Sequence, residues 1–255
     1  MTDKIDIANS INLLREEVRP AVQFLLTRLA GDLGDNLQSL CVVGSALTGD
    51  FHPKYSDINT VMVVRTRSHQ LLQLLGGYGK TMGKRKLRAP LLMTTEYIQQ
   101  SLDVFGVELL EFQHNHKMIA GPDPFSELEF RKEDVRLQCE RQFKAALIKL
   151  RQGYIRAMGK SKIVAGLLVD CVSELAVLLR ALLWLKDIDR PAEAKATLEV
   201  AAKVFEFDTQ KLIPIMSMKH CRSSLGGDMV EAIFEDVYQI VDHLGRTVDQ
   251  IGEKS

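Results

Sequence analysis

Two apolar runs joined by a polar connector constrain this chain more than any other stretch: Leu40 to Val64, LCVVGSALTGDFHPKYSDINTVMVV. Leu40 to Val43 is short, apolar and ends at Gly44-Ser45, which predicts a buried strand stopped by a corner. Ile58 to Val64 is rich in β-branched side chains and predicts a second strand, because such residues fit a pleated, half-buried surface. Between them, Ala46 to Gly49 reads as the start of a short helix, and Pro53 marks Phe51 to Tyr55 as loop.

The flanking chain sets the fold class. Residues 5 to 30 carry Ile11, Leu14, Val18, Val22, Leu25 and Leu29 at spacings of three and four, the pattern of one buried helix face. Pro20 falls inside it and predicts a kink or two short helices. After the second strand, His69 to Leu75 reads as helix and Gly76 to Arg88, GGYGKTMGKRKLR, as a Gly-rich basic loop. Pro90 to Met93 is a third apolar run, Glu96 to Val104 reads as helix, and Val107 to Phe112 fits strand or helix. From Asp134 the period is helical throughout: to Met158, from Ser161 to Lys186, from Pro191 to Phe205, a fourth helix capped by Asp208, and from Asp228 to Ile251. Alternating strands and helices followed by helices alone predict an α/β (α+β) mixed-sheet domain and then an all-α helical bundle. The Gly- and Pro-containing segment 114 to 125 places the boundary, giving domains of residues 1–125 and 126–255.

Composition excludes several classes. Lys+Arg and Asp+Glu are 33 each among 255 residues, so no global field draws the chain to nucleic acid or anionic lipid. The longest apolar run, Ala176 to Leu185, is broken by Arg180 and is too short to span a bilayer. The first ten residues carry no apolar leader. Cys41, Cys139, Cys171 and Cys221 have no CxxC spacing and are expected as reduced thiols. A soluble, cytoplasmic protein is the expectation.

The chemistry lies in the opening stretch. A glycine-serine corner at a strand end lets backbone N–H groups and a hydroxyl approach phosphates. Acids at positions i and i+2 of a neighbouring strand project from one face and can hold a magnesium ion that bridges a triphosphate. Here Gly44-Ser45 is followed by Gly49 and then Ser56-Asp57-Ile58-Asn59. This order resembles the polymerase-β-like nucleotidyltransferase superfamily, in its minimal and aminoglycoside-type branch, through Gly44, Ser45, Gly49, Ser56 and Asp57. The resemblance implies that Gly44 and Ser45 hold a nucleoside triphosphate and that Asp57 is the catalytic metal ligand. It implies magnesium as cofactor and transfer of a nucleoside monophosphate to an acceptor the sequence does not identify. Asn59 stands where a second acid is usual. Its amide oxygen can ligate a metal but brings no charge, which weakens magnesium binding and predicts impaired transfer. A third carboxylate would come from Glu108 if its apolar segment pairs into the sheet. The competing reading is a non-catalytic regulatory or scaffold module acting through the bundle, as a homodimer or with a partner.

Other signals are weaker. Gly79-Lys80-Thr81 lacks the glycine five positions earlier that a phosphate-binding P-loop requires; Leu74 is there. Lys80, Lys84, Arg85, Lys86 and Arg88 form the densest basic cluster, read as a solvated loop in preference to a nucleic-acid surface. His114 and His116 read as a surface turn.

Overall fold

The seven residues Leu37–Val43 form β1, and its last five are buried, because an uninterrupted apolar run can satisfy a strand covered on both faces. The computed structural model describes residues 7–218 and 226–251, so the expected helix start at residue 5 and the thiol of Cys221 lie outside the described residues. β1 pairs antiparallel with β2 (Asn59–Val64) and, on its other side, with β4 (His116–Ala120). β3 (Leu91–Met93) adds to β2 in parallel, giving a mixed four-stranded sheet ordered β3-β2-β1-β4.

The N-terminal periodicity becomes two helices, α1 (Ile7–Asn12) and α2 (Arg19–Leu33), with Pro20 in the first turn of the second. That position costs nothing, since a first-turn N–H has no helical partner. Val22, Leu25 and Leu29 of α2 pack with Leu40, Val42, Met62 and Val64 on one face of the sheet. Each such buried side chain is worth about 1.5–3 kcal/mol relative to exposure.

The expected Gly-rich loop is a correction. Residues His69–Lys84 form one helix, α3, capped by the hydroxyl of Ser68, which accepts from Leu71 N–H at 3.2 Å. Leu71, Leu75 and Met82 keep the helical period across Gly76, Gly77 and Gly79, and all three bury in the sheet core. Burial of that face outweighs the roughly 1 kcal/mol that each helical glycine costs. Of the 76–88 stretch, the segment after Lys84 is non-helical. α4 (Thr95–Gln100) follows β3, and Val107 to Phe112 falls within a helix, α5 (Gly106–His114).

The chain divides into two compact units. One runs to Leu102 and resumes at Phe112–Glu129; the other takes Asp103–Glu111 and the chain from Phe130 onward. Within the second, α6 (Lys132–Ala157), α7 (Ser161–Leu185), α8 (Ala194–Phe205), α9 (Ile213–Met218) and α10 (Gly227–Ile251) surround a core of Phe143, Leu168, Leu179, Val237 and Leu244. Pro191 does not open α8. Its carbonyl accepts the Thr197 hydroxyl at 2.8 Å, and the helix starts at Ala194. Asp208 caps a short turn, Thr209–Lys211, ahead of α9. Among the described residues no helix is long and apolar enough to cross a membrane.

Candidate active site

β1 ends at Val43, and Gly44 turns the chain with φ +76°, a conformation that side-chain-bearing residues rarely adopt. Gly44–Leu47 then forms a single tight turn, whose Ser45 carbonyl accepts Thr48 N–H at 3.0 Å. Val43 pairs with Asn59 on β2, so the corner and the first residue of the second strand meet. A methyl group placed on Gly44 would lie 3.6 Å from Asn59 Nδ2. Gly44, Ser45 and Asn59 are thus brought together, each half-buried.

Asp57 lies two residues before β2, on the exposed side of the connector. The loop leading to it is braced by Ser56, whose hydroxyl accepts His52 N–H at 2.9 Å. Ile58 N–H donates to Lys86 O at 2.7 Å and Arg88 N–H donates to Ile58 O at 3.0 Å, which ties residues 86–88 alongside 57–59. Arg88 Nε consequently donates to Asp57 Oδ2 at 3.0 Å. Both partners are open to solvent, at 68% and 45% side-chain exposure.

His116 opens β4 opposite Val43, so Asn59, Val43 and His116 form one row across three strands. Its ring nitrogens sit 2.7 Å from the Phe112 carbonyl and 3.0 Å from Asp123 Oδ2. Cys41, on β1, donates to Val61 O at 3.7 Å. Burial pushes its thiol up to about 12; the Val61 bond lowers it by less, and Asp123 adds to the rise, so it is no nucleophile near neutral pH.

Among solved structures, the chain is similar to the spectinomycin adenyltransferase AAD(9) from Enterococcus faecialis, solved with ATP and spectinomycin. The match has a TM-score of 0.55 at 12% identity and covers 90% of this chain and 98% of that one. This chain has the nucleotidyltransferase fold. The likeness runs through the mixed sheet and the helical region after it, and at this identity it is a likeness of fold. No family model matches, and no curated protein does.

On the nucleotidyltransferase fold, the donors around the corner do not suit magnesium. Asp57 is one carboxylate and already holds a guanidinium, while Asn59 offers a neutral amide. Magnesium favours hard, charged oxygens, usually one or two carboxylates besides the phosphates. The condition set for Glu108, a segment paired into the sheet, is not met. Its segment is helix, not strand, and its carboxylate accepts from the side-chain amides of Gln138 and Gln142, the latter at 3.0 Å. Among the described residues no group of three His, Cys, Asp or Glu side chains is arranged to hold a metal ion.

Sequence reasoning missed two residues of this neighbourhood. Arg88 appeared only as a member of a basic cluster, and its pairing with Asp57 spans 31 positions. The cluster itself is dispersed: Arg85 stacks on Phe24, and Lys86 donates to Pro53 O at 2.6 Å. His116 appeared as a turn residue but belongs to the sheet, at a side-chain exposure of 13%. Its strand has too few β-branched residues to announce itself.

Proposed function

We propose that this protein binds a nucleoside triphosphate at the Gly44-Ser45 corner and that magnesium-dependent transfer of a nucleoside monophosphate is impaired. The observation that carries the reading is the corner on this fold: a positive-φ glycine ending β1, with Asn59 facing it and Asp57 beside it. Gly44 and Ser45 are the phosphate-binding residues. Asp57 is the acid that would serve as a catalytic metal ligand, and Asn59 is a neutral ligand at best. The solved adenyltransferase of this fold was captured with ATP, which supports ATP as the first nucleotide to try. Isothermal calorimetry with ATP tests the proposal. Saturable binding at millimolar nucleotide or below, lost in Ser45→Ala combined with Gly44→Val, is the expected result. Absence of heat overturns it.

A second reading, a non-catalytic module acting through its helical bundle, is favoured by a separate observation. Leu137, Ile148 and Ile155 of α6 are 53%, 53% and 75% exposed. Their spacings of eleven and seven put them on one face of the helix. A self-associating protein would show a concentration-dependent mass in light scattering, and Ile155→Glu would abolish it. A monomer at high concentration overturns the homodimer.

A further inference from the structure

Near the corner stand a neutral amide, Asn59, and a guanidinium, Arg88, paired with Asp57. Where a metal site would present a second carboxylate, the neutral side-chain amide of Asn59 lies 3.6 Å from the place a Cβ on Gly44 would take. Asp57, the acid two positions before Asn59, is matched by a cation that the backbone itself puts in place. The two main-chain hydrogen bonds of the Ile58–Leu87 bridge fix the Cα of Arg88 alongside residues 57–59, whatever its side chain does. The guanidinium is exposed, so it can exchange Asp57 for an incoming group at little cost. A phosphate oxygen pair fits the planar fork of arginine as well as a carboxylate does.

We infer that this site takes the phosphate chain of its ligand without a divalent cation, with Arg88 supplying the positive charge that a metal would otherwise bring. The inference rests on the nucleotide-binding reading above and adds to it the identity of the counter-charge. In this arrangement Asp57 is a placeholder. It holds Arg88 in position when no ligand is bound and repels the phosphates when one is. Asp57 therefore has opposite effects in the two kinds of site: as a metal ligand it aids nucleotide binding, and as the competitor for Arg88 it weakens it.

That reversal of sign gives the experiment. ATP and inorganic tripolyphosphate are titrated calorimetrically into the full chain and into Asp57→Asn, Arg88→Ala and Arg88→Lys, each in EDTA and in magnesium. The expected result is that both ligands bind in EDTA at least as tightly as in magnesium, with affinity falling as salt is raised. Arg88→Ala should weaken binding about tenfold or more, the scale of one charge-assisted contact. Arg88→Lys should recover part of the loss, and Asp57→Asn should tighten binding in EDTA. Binding that requires magnesium, or that Asp57→Asn abolishes, overturns the inference and leaves nucleotide binding standing. Affinity unchanged in Arg88→Ala overturns it equally. Failure of ATP to bind in either buffer overturns the nucleotide reading and this inference together. Circular dichroism of the variants separates lost binding from lost folding.

Discussion

Two arginine–carboxylate pairs, one in each unit, have the same chemistry and opposite settings. In the sheet unit, Arg88 and Asp57 meet through one hydrogen bond with both side chains largely in water. In the helical unit, Arg180 on α7 grips Glu111 of α5 with two bonds of 2.7 Å, at 8% and 12% side-chain exposure. A third bond runs from the same guanidinium to the Thr197 hydroxyl at 3.2 Å. Water screens the first pair, so it is worth little to the fold and is free to be exchanged for a ligand. The second is largely shut off from water, so each partner is the other's main counter-charge. An ion pair holds structure where it is buried and is available for binding where it is exposed.

The sharpest test of that contrast is stability. Arg180→Ala or Glu111→Ala should cost about 3–5 kcal/mol, because each leaves a buried charge without its main counter-charge. Arg88→Ala or Asp57→Ala should cost about 1 kcal/mol or less. Urea denaturation of the four variants measures both, and similar losses for the two pairs would end the comparison.

The sheet unit has a different point of weakness. Gly121 follows β4 with φ +76°, and a Cβ there would fall 1.8 Å from the Gln38 carbonyl oxygen. Gly121→Ala combines backbone strain with overlap and should destabilise by on the order of 3 kcal/mol. A neutral result in the same urea assay would mean that β4 can move away from β1.

Alkaline pH bears on both units. Burial pushes the thiols of Cys41, Cys139 and Cys171 up to about 12 from an ordinary 9.0. The folded chain holds these protons where the unfolded chain releases them. Their contribution is therefore intact below pH 9.0 and is lost as pH rises toward 12, with a slope approaching about 1.4 kcal/mol per pH unit for each thiol. Replacing all three by alanine should flatten the alkaline fall in the urea midpoint. An unchanged slope would assign it to other groups.

The smallest effect has the opposite sign. Gly77 and Gly79 are exposed within α3, and a Cβ at either would meet nothing within 4 Å. Gly77→Ala and Gly79→Ala should each stabilise by about 0.5–1 kcal/mol, read as a rise in melting temperature.

Much of the fold was legible in the sequence, for reasons that differ between elements. β1 and β2 could be read because buried strands appear as unbroken apolar runs. The long helices α6, α7 and α10 could be read because a period of 3.6 sustained over 25 or 26 residues has few rival explanations. α3 could not, since four glycines within its sixteen residues argue locally for a loop and only the sheet core beneath argues for a helix. The segment around Val107 was open between strand and helix until Gln138 decided it. That buried side chain accepts Val107 N–H at 2.9 Å and so caps the first turn of α5. At the candidate site, Gly44, Ser45, Asp57 and Asn59 were visible because they fall within sixteen consecutive positions. Arg88 and His116 were not, because nothing in their own neighbourhoods marks them.

The sequence by itself determined the periods, the strand-ending glycine, and the replacement of an acid by Asn59. All of these are set by residues within a turn or a strand of one another. The tertiary structure decided which charges meet. Asp57 found Arg88 across 31 positions and Glu111 found Arg180 across 69. The physical reason is that a side chain's charge is local information, while its partner and its exposure to water are properties of the elements that the fold lays beside it.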